Sequence, residues 1–125
     1  MAAYFFVSSL QPTVSARVAV EAVDPIDLCV TSPSKEAHET AAAAHNGHFV
    51  FTVDEPLLAG RVPHETANDV LARYAQALRV IAAYSTRCAL VVCDDLDIFG
   101  RDVVRMDESD LLATADAIER RLPLP

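Results

Sequence analysis

The amino-acid sequence predicts an α/β sandwich. We expect one domain over residues 1–125, with a central, mostly parallel sheet of about four to five strands flanked by helices. Three observations lead there. Short β-branched and aromatic runs alternate with longer stretches of helical spacing, the pattern of parallel strands joined by crossover helices. At 125 residues and 52% hydrophobic content, the chain can bury a core without staples. The run CALVVC at 88–93 is apolar throughout, as a central strand buried on both faces must be.

The elements follow in order. Tyr4 to Leu10 (YFFVSSL) is aromatic and β-branched and reads as the first strand, ended by Pro12. Thr13 to Val23 is ambiguous: Val14, Val18 and Ala22 recur at helical spacing, while Val14, Ala16, Val18 and Val20 alternate as in a strand. Ile26 to Thr31 (IDLCVT) reads as the second strand. Ser32 and Pro33 then suggest a helix start, with Ser as N-cap and Pro at the first helical position. That helix runs through an alanine-rich stretch to Asn46-Gly47, a stop signal.

His48 to Val53 (HFVFTV) is the third strand, and Asp54 to Pro63 a loop broken by Pro56, Gly60 and Pro63. Thr66 and Asp69 have capping-box spacing for the next helix, whose face is Val70, Tyr74, Leu78 and Ile81. Cys88 to Cys93 is the fourth strand. Asp102 to Met106 has the look of an edge strand with core-facing valines. A last helix starts near Asp107 and carries Leu111, Leu112, Ala115, Ile118 and Leu122, with Asp107, Glu108 and Asp110 at its positive end.

The formal charge of −8 excludes some function classes. Non-specific nucleic-acid binding needs Lys and Arg to neutralise phosphates, and an anionic membrane surface makes the same demand. The natural complement of this chain is a basic protein. Cys29, Cys88 and Cys93 form no CxxC pair and lie in or beside apolar runs, so they read as reduced core thiols of a cytosolic protein. The stretch MAAYFFVSSL has no basic region before its short apolar run, so no signal peptide is expected, and no run is long enough to span a membrane.

The segment ALVVCDDLDIFG resembles a strand that delivers Mg²⁺-binding acids: Asp94, Asp95 and Asp97 follow four apolar residues. A nucleotide hydrolase would also need a GxxxxGK[ST] cradle, and no glycine here begins one; Lys35 is the only lysine. A small Mg²⁺-dependent hydrolase using Asp94, Asp95 and Asp97, with Asp54 and Glu55 from another strand end, stays open as an alternative. So does the plain reading that these aspartates only solvate a strand end. The two histidines of HNGH (His45 and His48) lack a cysteine close in sequence, and the turn itself explains Asn46-Gly47. No serine sits in a GxSxG context. No cofactor or metal is expected.

A distributed signal remains. Between Asp94 and Asp110, seven acids face Arg101 and Arg105, a net charge of −5, with Leu96, Ile98, Phe99, Val103, Val104 and Met106 interleaved. Acids around apolar anchors suit a grip on a basic protein surface, the anchors giving affinity and the charges on-rate. On charge alone, the candidate contact residues are Asp94, Asp95, Asp97, Phe99, Asp102, Asp107 and Glu108, with Asp54 and Glu55 from the third strand end.

The order YFFVSSL, IDLCVTSP, SKEAHETAAAAHNG, HFVFTVDEP, a long helix and ALVVCDDLDIF resembles immunity proteins of bacterial contact-dependent growth inhibition systems, in the subgroup that guards against nuclease toxins. The likeness runs from residue 4 to 105 and rests on strands ending TSP, VDEP and CDDLDIF; the final helix lies outside it. It implies a small cytosolic non-enzyme that binds the C-terminal domain of a cognate toxin, as a monomer in a 1:1 complex, and blocks its active site. A basic nuclease is the expected partner, with no direct contact to nucleic acid or membrane. An acidic secretion chaperone or adaptor is the alternative binding role.

Overall fold

The computed structural model describes residues 3–8, 26–45, 51–60, 62–94 and 103–123. Five strands form one mixed sheet: β1 (Ala3–Ser8), β2 (Leu28–Thr31), β3 (Phe51–Asp54), β4 (Cys88–Cys93) and β5 (Val103–Met106), in the spatial order β3-β2-β4-β1-β5. The first four are mutually parallel where they pair, and β5 runs antiparallel to β1. Three helices complete the described fold: α1 (Lys35–His45), α2 (Ala67–Ala82) and α3 (Glu108–Arg120). The expected α/β sandwich is therefore the observed architecture.

β4 is central for the reason its sequence gave. Every residue in it is buried, because it has β2 on one side, β1 on the other and helices over both faces. Alternation sorts its side chains. Ala89, Val91 and Cys93 join Tyr4, Phe6, Leu28 and Val30 beneath α2 and α3. Leu90 and Val92 join Val7 and Cys29 against Ala37 and Ala41 of α1. All three cysteines are buried free thiols, and burial pushes the Cys29 thiol up to about 12.

The helix starts expected at Thr66 and near Asp107 are both observed. Thr66 and Asp69 form a reciprocal capping box on α2, and Asp107 and Asp110 form another on α3. Val70, Tyr74, Leu78 and Ile81 are the buried stripe of α2. On α3, Leu111 and Ala115 are buried, but Leu112 faces out at 40% exposure, one position off the core stripe.

The start of α1 departs from expectation. Ser34, not Ser32, caps it: its Oγ accepts from the Ala37 N–H at 3.1 Å. Ser32 instead extends the sheet, its N–H donating to the Val92 carbonyl at 2.8 Å, so the helix begins two residues later than Ser32-Pro33 suggests. β3 is observed from Phe51, and the stretch 46–50, with Asn46-Gly47 and His48, lies outside the described residues, as does the ambiguous segment 13–23. Among the described residues no helix is long and apolar enough to cross a membrane.

Candidate functional site at the carboxyl edge of the sheet

In open α/β sheets, ligand crevices form beyond the carboxyl ends of parallel strands, where successive connections leave on opposite faces. Here the connection after β2 passes through α1 on one face, and the connection after β3 reaches α2 on the other. The side chains at this edge are Thr31, Ser32, Ser34, His38, Asp54, Glu55 and Asp94.

Asp94 follows directly on β4 and is the hub. Its Oδ2 accepts from Ser32 Oγ at 2.7 Å and from the Gly60 N–H at 3.1 Å, and its Oδ1 accepts from Ser34 Oγ at 2.8 Å. Its own N–H donates to the Leu58 carbonyl at 3.3 Å. One carboxylate thus ties the β2–α1 turn to the loop after β3. The approach is close: a Cβ on Gly60 would lie 3.3 Å from the Asp94 Cβ. A side chain at Gly60 would press on the Asp94 methylene, which would have to give by a few tenths of an ångström.

That loop is held from its other side as well. Glu55 accepts from the Leu57 N–H at 3.2 Å and caps a short 3₁₀ turn, Pro56–Leu58. Arg73 of α2 donates to the carbonyls of Leu57 (2.9 Å), Ala59 (2.6 Å) and Gly60 (3.2 Å). Its remaining donors grip both oxygens of Glu65 at 2.9 and 2.7 Å, and this bond raises the guanidinium pKa further. Tyr74 adds its hydroxyl to the carbonyls of Leu58 and Ala59. Carbonyls that run half-buried past the sheet end need such donors.

Asp54, at the end of β3, has a different environment. Its Oδ1 accepts from Thr31 Oγ1 at 2.9 Å and lies 2.7 Å from His38 Nε2 of α1. These bonds, His38 first and then Thr31, hold its carboxyl below the usual aspartate value. Both side chains stay about half exposed, at 46% for His38 and 53% for Asp54. Asp54 is therefore presented to solvent, whereas both Asp94 oxygens are engaged within the protein.

No family model and no curated protein matches this chain.

The structure brings Asp54, Glu55 and Asp94 to one edge. It does not bring Asp107 and Glu108 there. Because β5 runs against β1, with Met106 opposite Tyr4 and Val103 opposite Val7, those two acids emerge at the amino edge. Glu108 and Asp27 there add to burial, the largest influence, in raising the pKa of Tyr4. Asp107 serves as the N-cap of α3, accepting from the Asp110 N–H at 2.8 Å and from Ser109 Oγ at 2.7 Å. Asp95, Asp97, Phe99 and Asp102 lie outside the described residues. Among the described residues, no group of three or more His, Cys, Asp or Glu is placed to hold a metal ion.

Ser34, Gly60, His38 and Arg73 belong to this edge and were not singled out by motif. Two serines around a proline at a strand end were the available sign for Ser34. An arginine beside the apolar stripe of α2 was the sign for Arg73.

Proposed function

We propose that this chain is an acidic binding protein that neutralises a basic partner, an immunity protein whose cognate toxin is a nuclease, acting in the cytoplasm without chemistry of its own. The observation that carries this reading is how the charges are disposed. The chain is net −8, and among the described residues two arginines are turned onto its own acids. Arg73 is closed on Glu65 and loop carbonyls, and Arg79 on Asp116 and Glu119. Neither is presented to a phosphate. Asp54 meanwhile stays about half exposed at the carboxyl edge. Such a surface attracts basic proteins and repels polyanions.

The state of Asp94 favours binding over catalysis. A general base or metal ligand needs a lone pair directed at substrate or ion. Here both oxygens accept bonds that hold the fold together. A metal at Asp94 would compete with the Ser32 and Ser34 hydroxyls and the Gly60 N–H for the carboxylate oxygens.

The test is co-expression with the toxin domain encoded by the neighbouring gene. The expected result is restored growth and a 1:1 complex that survives purification. Absence of both protection and co-purification would overturn the reading.

A further inference from the structure

We draw no further inference here: the strongest candidate, the cluster of donors from Ser32, Ser34 and Gly60 at the amino end of α1, already has its anion in the Asp94 carboxylate, and nothing among the described residues points to a second ligand.

Discussion

Asp94 separates two roles that an acidic run blurs. In sequence it is the first of three aspartates after an apolar strand. In the fold its carboxylate answers two hydroxyls and one amide, and Ser32 among those donors is fully buried. A buried donor that loses its acceptor costs more than the bond was worth. Asp94→Ala should therefore lower unfolding stability by about 2–4 kcal/mol, read by urea denaturation. A loss under about 0.5 kcal/mol would show that the three bonds contribute nothing net. Asp54 and Asp107 make a different prediction. Both are held below the ordinary aspartate value, Asp54 by His38 and Thr31, Asp107 by the Asp110 N–H and Ser109. A depressed folded pKa contributes stability that is complete above the unfolded value and is lost as pH falls through the folded one. Stability should then fall as pH drops below the ordinary aspartate value, about 3.9, and the double variant Asp54→Asn, Asp107→Asn should flatten that drop in urea midpoints taken across the acid range.

At the scale of elements, the helices were readable because their signals are local. Thr66 with Asp69 and Asp107 with Asp110 are each three residues apart, so both capping boxes stand in the sequence itself. The start of α1 was misplaced because two serines compete there, and the choice between them is made elsewhere. Ser32 is engaged by an aspartate 62 residues away. The loop after β3 was equally opaque: its order comes from Arg73, 13 to 16 residues downstream on another element. Lysine cannot reproduce that fork, because its ammonium lacks the planar, spread donors. Arg73→Lys should keep the charge yet loosen residues 57–60, with the Gly60 amide exchanging at least about tenfold faster. Unchanged exchange at Gly60 would show that the Arg73 fork does not hold the loop.

For the whole molecule, the sheet class was legible from the alternation of strand and helix patterns, but strand direction was not. A four-residue strand reads the same whether it runs parallel or antiparallel to its neighbour. That one undetermined direction divided the acidic set, sending Asp107 and Glu108 to the edge opposite Asp54, Glu55 and Asp94. The edges are separated by the length of a six-residue strand, about 20 Å, roughly two Debye lengths at physiological salt. A partner docking on the carboxyl edge should therefore tell them apart. At physiological salt the pair Asp54→Lys and Glu55→Lys should slow its association several-fold, an effect that fades as ionic strength rises further, while Glu108→Lys should leave the rate nearly unchanged. Stopped-flow association across a salt series measures both, and equal slowing by the two variants would rule out docking on the carboxyl edge alone.

The spatial order β3-β2-β4-β1-β5 also governs when the protein can fold. β4 lies between β1 and β2, and it pairs in parallel with both. A chain emerging from the ribosome makes β1 first, yet among the described strands β1 has no neighbour until residues 88–93 arrive. β2 and β3 can pair early with each other, but their sheet stays two strands wide until then. Two strands alone are marginal in water. Closure of the core therefore waits for the last third of the chain, when the most apolar strand, buried on both faces, joins β1 to the β2–β3 pair.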